Sequence, residues 1–274
     1  MSLRSNKNVL CGLLGYCGGT VGALTAELVN VKPTTNTLVS IGHVALWCAV
    51  CSVGIVLGLT WALEIYAGRK RPSRKVLLKA LISGLITGAI AGGAAQGVFR
   101  LHTFSRTGQF FFQAGCWGLA GGIIGWRISR LIANLGTLRG IAAGLAGGTL
   151  GGMGFLAISG HLAEAFGRSV GFGVLGAILG VTMVVAERLF REAYLEVIWA
   201  PREVTTLSLG TAPVSIGGGE DNIFVRGLPP RTATITLDGG KVRYVDQRTG
   251  KAMDLANGTR ITVAQIQMVV HASA

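Results

Sequence analysis

Long apolar runs separated by short polar connections fill the first two thirds of the chain. The runs lie at about residues 9–29, 38–63, 76–99, 110–126, 140–160 and 169–186. The fifth run has 21 residues and no charged side chain, which is long enough for a helix to cross a bilayer. The pattern therefore predicts an α-helical multi-pass membrane domain over residues 1–186, with six spans.

Glycine recurs at helical spacing inside these runs. In the fifth run, Gly140, Gly144, Gly148 and Gly152 fall every four residues, so a helix carries them as one bare stripe. In water such a run is a poor helix, because each glycine lowers helix stability by about 1 kcal/mol relative to alanine. In lipid, an unsatisfied backbone group costs more than that, so the run is expected to be helical. We predict that these glycines pack against neighbouring helices. The same prediction covers Gly54, Gly58, Gly84, Gly88, Gly92, Gly118, Gly122, Gly176 and Gly180.

The six runs are interpreted as three helical hairpins, at residues 1–75, 76–137 and 138–192. Similar glycine pairs recur in them, with Gly92-Gly93 in the third run and Gly147-Gly148 in the fifth. The spacing between equivalent glycines differs from unit to unit, so the repeat is degenerate. A chance recurrence among glycine-rich membrane helices is the alternative.

Composition and charge are typical of a membrane protein. Half of the 274 residues are hydrophobic, 14% are charged, and the net charge is +13. The excess does not indicate nucleic acid, because the basic residues crowd beside the apolar runs, where they meet anionic lipid. Thirteen lysines and arginines fall on one side of the predicted membrane and four on the other, which predicts cytoplasmic termini and a retained first span. The thirteen are Arg4, Lys7, Arg69, Lys70, Arg71, Arg74, Lys75, Lys79, Arg127, Arg130, Arg139, Arg188 and Arg191; the four are Lys32, Arg100, Arg106 and Arg168.

The pattern changes after the sixth run. Residues 187–194 are predicted to continue the helix into water as a linker, with Glu187 and Arg191 paired at i, i+4. From residue 195 apolar and polar positions alternate, and Asp238-Gly239-Gly240 is a hairpin turn between two alternating segments. About eight short strands predict a small all-β sandwich over residues 195–274.

Three motifs of this region resemble the forkhead-associated (FHA) domain. Residues 214–225 read VSIGGGEDNIFV, where the family has an "IGR" turn followed by "DNDI". Residues 233–235 read ATI, where it has "HA-x-I", and residues 255–261 read LANGTRI, where it has "L-x-x-G-D-x-I". The resemblance covers residues 195–274 only and implies a sandwich that binds a protein partner through loops at one end.

The chain departs from the phosphothreonine-binding members of that family. They hold phosphate with an arginine, a serine and an asparagine, whose matching positions here are Gly218, Pro229 and Thr249, with Thr232 at the position of a bracing histidine. A dianionic phosphate favours charge-assisted donors, which a glycine cannot supply. We therefore predict that the loops bind a partner without phosphate. The predicted loop residues are Gly217, Gly218, Gly219, Arg226, Pro229, Pro230, Arg231, Thr232, Thr249 and Gly250.

No nucleophile–base pair, phosphate loop or metal constellation is apparent in the sequence, so neither an enzyme nor a cofactor is predicted. The first hypothesis is a non-enzymatic scaffold or adaptor, assigned to a bacterial inner membrane from the FHA resemblance and the short loops. A channel or transporter regulated by the FHA-like domain is the alternative; it needs a polar path, which the spans scarcely offer beyond Gln96 and a few threonines. A phosphopeptide receptor using Arg226 and Arg231 is a third hypothesis. A homo-oligomer is left open.

Overall fold

The computed structural model describes residues 6–29, 35–102, 105–159, 161–162, 164–201 and 203–272. Within these ranges the chain forms six α-helices followed by nine β-strands. The helices are α1 (Lys7–Glu27), α2 (Thr37–Tyr66), α3 (Arg74–Leu101), α4 (Arg106–Ser129), α5 (Thr137–Ser159) and α6 (Glu164–Leu189). The first four begin after a capping residue, Asn6, Asn36, Ser73 or Ser105, whose side chain accepts a hydrogen bond from a backbone N–H three residues on.

Among the described residues, five helices are long and apolar enough to cross a membrane: α1, α2, α3, α5 and α6. The chain thus has the build of a multi-pass membrane protein followed by a sheet-rich region. The helix α4 has 24 residues but is not among the five, so the sixth span stays a prediction.

The helices form a ring in chain order, with α6 packed against α1. The helices α2, α4 and α6 also touch one another across the interior, so they are an inner triad with α1, α3 and α5 between them on the outside. Five of the neighbouring pairs pack closely, whereas α3 and α4 barely meet. We call the gap between α3 and α4 the seam.

Glycines lie where the helices approach most closely. A Cβ atom added to Gly144 would meet the backbone carbonyl of Gly121 in α4, and one added to Gly54 would meet that of Gly18 in α1. Such crossings bring backbones into contact, which a side chain would prevent. The structure places Gly54, Gly58, Gly176 and Gly180 against α1; Gly84, Gly88 and Gly92 against α2; Gly140, Gly144, Gly148 and Gly152 against α4; and Gly118 and Gly122 against α5.

This distribution explains why the predicted hairpin of residues 76–137 is not a packed unit. The glycines of α3 face α2, and those of α4 face α5, so no small-residue stripe remains to bring α3 and α4 together. The tightest packing is instead between the predicted hairpins, at α2–α3 and α4–α5. The hairpins α1–α2 and α5–α6 do pack.

The strands form two sheets in the described part of the C-terminal region. Their bounds are β1 (Ala193–Ala200), β2 (Glu203–Leu209), β3 (Val214–Gly217), β4 (Ile223–Phe224), β5 (Ala233–Asp238), β6 (Lys241–Asp246), β7 (Ala252–Leu255), β8 (Arg260–Val263) and β9 (Ile266–Ala272). One sheet has the order β2-β1-β9-β8 and the other β4-β3-β5-β6-β7. Alternate residues such as Leu195, Ile235 and Met268 are fully buried in one shared core, so the sheets are layers of a sandwich.

The predicted hairpin at Asp238-Gly239-Gly240 is confirmed. The strands β5 and β6 pair antiparallel up to Asp238 opposite Lys241, and both glycines have the positive φ angles, 53° and 79°, that a two-residue turn requires. The predicted helical linker of residues 187–194 is shorter than expected. The helix α6 ends at Leu189, and β1 begins at Ala193 because that residue already pairs with Leu209 and Ala272.

Candidate functional site

Two of the predicted partner-binding loops, residues 217–221 and 228–231, are joined by hydrogen bonds. The backbone N–H of Gly218 donates to the carbonyl of Pro229 at 3.1 Å. The buried Asp221 carboxylate accepts the N–H groups of Gly219 and Arg231, both at 3.1 Å to Oδ2. Because one carboxylate holds both loops, they behave as a single structural unit.

The contact between these loops leaves no room for a side chain at the position that matches the arginine of phosphate-binding FHA domains. A Cβ atom added to Gly218 would collide with the backbone carbonyl oxygen of Leu228. At Gly217 it would lie 2.5 Å from the carbonyl oxygen of Pro229. The space in which a phosphate-gripping side chain would begin is therefore filled by the backbone of residues 228–229.

The outward side of residues 217–221 is not free, because the connection between α2 and α3 docks on it. Arg69 donates to the carbonyl oxygens of Gly219 and Asp221, at 3.2 and 2.5 Å, and forms an ion pair with Glu64 of α2 at 3.1 Å. The N–H of Phe224 donates to the carbonyl of Ala67 at 3.0 Å. Of the three predicted loop glycines, Gly219 thus contacts the α2–α3 connection directly, whereas Gly217 and Gly218 pack against residues 228–231.

A buried ion pair forms a second contact between helices and sandwich. Lys7, at the start of α1, lies 2.5 Å from the Glu187 carboxylate near the end of α6, and their side chains are 7% and 4% exposed. The other Glu187 oxygen accepts a hydrogen bond from the Ser208 hydroxyl of β2 at 2.9 Å. The ammonium group also lies 4.9 Å from the centre of the Tyr66 ring. Glu187 therefore joins the start of α1 and the end of α6 to the strand β2 of the sandwich.

Tyr66 and Asn134 add two further contacts to β2 and the turn after it. The N–H of Thr206 donates to the Tyr66 hydroxyl at 2.6 Å. Asn134, between α4 and α5, donates to the carbonyls of Ser208 and Ala212 and accepts the Ala212 N–H at 3.1 Å. Its φ of 56° is left-handed, which asparagine tolerates better than most residues. We call the end of the bundle that makes these contacts the sandwich end.

Sequence reasoning predicted a different role for Glu187. It was expected to extend into water and to pair with Arg191, but it lies buried between Lys7 and Ser208. The only signal in the sequence was a carboxylate and an ammonium group at the same predicted membrane face. Gln96 of α3 donates a hydrogen bond of 2.9 Å to the Ser40 hydroxyl of the neighbouring helix α2.

Of the remaining predicted loop residues, Arg226 lines a cavity together with Arg69 and Lys70 of the α2–α3 connection. Arg226, Pro229, Pro230, Arg231, Thr249 and Gly250 are exposed. Thr232 is buried, and its hydroxyl donates to the Pro229 carbonyl at 2.8 Å, so it stabilises the loop of residues 228–231. The N–H of Gln247 donates to the Thr232 carbonyl at 3.0 Å, which brings the turn of residues 247–250 beside it. We call residues 226–231 and 247–250 the outer loops.

The second outer loop is held in shape by Asp246. Its carboxylate accepts the backbone N–H groups of Arg248 at 2.8 Å and Thr249 at 3.3 Å. These hydrogen bonds, chiefly the one from Arg248, hold the pKa of Asp246 below its usual value. The same hydrogen bonds therefore favour the ionised form of the Asp246 carboxylate, which is the form that accepts them.

Aromatic side chains fill the interior of the bundle. The rings of Trp47 (α2), Trp117 (α4) and Phe155 (α5) each lie 5.1 Å from the ring of Phe172 (α6), in edge-to-face contact. Because α2 is not a neighbour of α5 or α6 in the ring of helices, these side chains meet only across the centre. Phe172 is 1% exposed.

Comparison with protein-family models, with curated proteins and with solved structures finds no match for this chain. The class of this protein is therefore defined from its architecture alone. It is a multi-pass helical membrane protein whose C-terminal β-sandwich is attached to one end of the helix bundle. The FHA resemblance rests on the three sequence motifs alone.

Proposed function

We propose that this protein is a non-enzymatic membrane scaffold that holds an FHA-like sandwich at a fixed orientation on the cytoplasmic face of a bacterial inner membrane. The sandwich presents its outer loops to a protein partner, which it binds without phosphothreonine. The observation that carries the proposal is the attachment of the sandwich at four places. These are Lys7–Glu187–Ser208, Tyr66–Thr206, Asn134–Ala212 and the Arg69 contact with residues 219–221.

The attachment matters because a fixed domain binds differently from a tethered one. A flexible linker raises the local concentration of a partner but leaves orientation open. Here three residues, from Phe190 to Glu192, separate α6 from β1, and the contacts come from several helices. The outer loops are consequently held at one height above the bundle, which reduces the entropy lost when a membrane-bound partner docks.

Six spans with both termini in the cytoplasm are consistent with the position of the helix ends. The α2–α3 connection, the α4–α5 connection and the end of α6 touch the sandwich, and the start of α1 pairs with that end of α6. A chain that returns to the same end after α2, α4 and α6 crosses the bundle six times, which supports α4 as a span. Most of the thirteen basic residues counted above lie at this end, which supports its cytoplasmic placement.

Binding without phosphate is supported by the closed backbone around Gly218 and by the absence of an arginine there. The exposed Arg226 and Arg231 belong to the outer loops and give them a positive surface. The filled centre of the bundle favours the scaffold over the channel or transporter, because conduction needs a wet path and Phe172 with its three aromatic neighbours occupies the axis.

The proposal is tested with a photo-crosslinking amino acid at Pro230 or Thr249 of the full chain in native membranes. Asp238 is the matched control, because it is also exposed but lies at the far end of β5 from the outer loops. The expected result is one defined protein adduct from positions 230 and 249, absent from position 238 and unchanged by phosphatase. Adducts of equal yield at all three positions would refute the outer loops as the docking surface. An adduct that phosphatase abolishes would establish the phosphopeptide receptor instead.

A further inference from the structure

The seam between α3 and α4 contains two cavities that follow one another along its length. The first, of about 630 Å³, lies toward the sandwich end and is lined by Lys79, Ile82 and Ile86 of α3 and by Ile123 and Arg127 of α4. The second, of about 210 Å³, begins where the first ends, at Gly88 of α3 and Ala120 of α4, and reaches Trp117 and Phe155 in the interior. The two cavities therefore adjoin along the seam, since Thr87 lines the first and Gly88 lines the second, and we call them together the groove.

The mouth of this groove is basic. Lys79, Arg127 and Arg130 all line the first cavity. The two carboxylates that also line it have other contacts, since Glu64 pairs with Arg69 at 3.1 Å and Glu220 accepts a hydrogen bond from Ser73 at 2.9 Å. In the part of the chain that the structure describes, none of the three cations forms an ion pair.

Farther from the mouth the lining is mostly apolar, with Ser83 and Thr87 in the outer part and Gln96 and Gln113 in the inner part. Isoleucine side chains of both helices line the outer part, and Phe112, Trp117 and Phe155 close the inner part. Between Lys79 and Gly88 the helix rises about 14 Å, which is close to the thickness of one leaflet of hydrocarbon, about 15 Å. A chain anchored at the basic mouth therefore spans the outer cavity and enters the inner one.

We propose that the seam binds one anionic phospholipid, with its headgroup phosphate at Lys79, Arg127 and Arg130 and one acyl chain along the isoleucines toward Trp117. The occupant is a lipid because the groove combines a cationic mouth at a helix end with an apolar floor inside a membrane bundle, which matches an amphipathic molecule lying parallel to the helices. Long basic side chains near helix ends extend their charges to the headgroup region, where anionic lipid is attracted. The bound chain fills the space that glycine packing closes at the other five helix pairs.

Charge complementarity predicts a preference among headgroups. A lysine or arginine at the membrane surface strengthens binding of anionic lipid by about 1 kcal/mol, or about fivefold in the binding constant. Removing two cations from the mouth therefore weakens binding of an anionic lipid about 25-fold and leaves a zwitterionic lipid nearly unaffected.

The test uses the full chain, delipidated in detergent, and native mass spectrometry of bound lipid. Dioleoyl phosphatidylglycerol and dioleoyl phosphatidylcholine are titrated separately, so that only the headgroup differs. The variants are Lys79→Gln/Arg127→Gln and a control, Arg74→Gln/Lys75→Gln, which removes two exposed cations from the same end of α3 but outside the groove. A further arm adds inorganic phosphate in excess over phosphatidylglycerol.

The expected result is one phosphatidylglycerol bound at least tenfold more tightly than phosphatidylcholine, with most of the preference lost in Lys79→Gln/Arg127→Gln and all of it kept in the control. Inorganic phosphate is expected to leave the lipid bound, because the acyl chain contributes to affinity. Equal binding of the two lipids by the unaltered chain would overturn the proposal without any variant. Equal losses in the two variants would show unspecific charge attraction and overturn it as well, and displacement by phosphate would identify an anion site without a lipid.

Discussion

The buried pair of Lys7 and Glu187 offers the sharpest test of the attachment between bundle and sandwich. Both side chains are less than a tenth exposed, so neither charge can turn to water if its partner is removed. Breaking a buried pair on one side costs about 3–5 kcal/mol, because the remaining charge is left uncompensated. Lys7→Met is therefore expected to lower stability by about this amount, in contrast with the fraction of a kcal/mol expected at an exposed lysine.

The double variant Lys7→Met/Glu187→Met separates the pair from the positions themselves. With both charges gone no buried ion remains, and replacement by apolar side chains of similar volume is often neutral. Two losses persist: the Ser208 hydroxyl has no acceptor, which costs about 1–3 kcal/mol, and the Tyr66 ring has no cation, which costs about 0.5–1 kcal/mol. The double variant is thus expected to be more stable than Lys7→Met or Glu187→Met alone.

The assay is thermal unfolding of the purified full chain, with amide exchange at Thr206 and Ser208 as a local readout. A loss of about 3 kcal/mol lowers the midpoint by about 6 °C or more for a domain of this size. Lys75→Met is the control, because Lys75 is exposed on the first turn of α3. The reasoning is refuted if Lys7→Met and Lys75→Met unfold at the same temperature, or if the double variant loses more than both single variants combined.

Three further predictions concern packing, orientation and the closed loop. Gly148→Ala is expected to cost about 1–3 kcal/mol in thermal unfolding, because its Cβ meets the Trp117 carbonyl, whereas Gly115→Ala, with nothing within 4 Å, is expected to cost little; equal effects would contradict this. In a chain without its five cysteines, an impermeant thiol reagent outside intact cells is expected to label Thr107→Cys and to spare Lys251→Cys, and the opposite labelling would reverse the orientation. Gly218→Arg is expected to destabilise the sandwich without creating affinity for a phosphothreonine peptide, and micromolar, phosphate-dependent binding by this variant would show that the loop can open.

The elements of this fold could be predicted from the sequence because each depends on local periodicity. Uncharged runs of about 20 residues require helices in lipid, and alternation with paired glycines requires hairpins in a sheet. The hairpin at Asp238 follows from that pattern and is confirmed by the antiparallel register of β5 and β6. Five of the six helices likewise meet the length and apolarity of a span.

Pairings between distant residues could not be predicted in the same way. Lys7 and Glu187 are 180 residues apart, and each looks like a charge extending from a helix end to the headgroups until the fold brings them together. The seam between α3 and α4 could not be predicted from the sequence for a related reason. Glycine spacing shows that a helix has a face without side chains, but it does not show which neighbouring helix packs on that face. The sequence therefore did not indicate that the glycines of α3 and those of α4 face away from each other.

The candidate site was predicted in part, and its limits have a structural cause. The motifs located the loops, but nothing local indicated that the connection between α2 and α3 would cover residues 217–221. Arg69 is one of six basic residues clustered between positions 69 and 79, which the positive-inside rule explains fully without a partner. Only the three-dimensional structure distinguishes Arg69, which donates hydrogen bonds to the sandwich, from the other basic residues of this cluster.

Asp221 connects the covered loops to the outer loops. Its carboxylate accepts the N–H groups of Gly219 and Arg231, while its own carbonyl accepts Arg69, which pairs with Glu64 of α2. A continuous series of hydrogen bonds and one ion pair therefore joins the outer loop at Arg231 to the helix α2, and a perturbation of Asp221 tests whether the two ends are coupled.

Asp221→Ala removes the shared acceptor and leaves buried N–H groups unpaired, at about 1–3 kcal/mol. It is expected to raise amide exchange at both Gly219 and Arg231 in the full chain and to increase protease access at residues 67–71. Asn222→Ala is the matched control, since the Asn222 side chain accepts from Ser215 and contacts neither loop partner of Asp221. The coupling is refuted if amide exchange rises at Gly219 alone, or if Asn222→Ala has the same effect as Asp221→Ala. In either case the outer loops are independent of the bundle, and a partner that binds them is held at the membrane without affecting the helices.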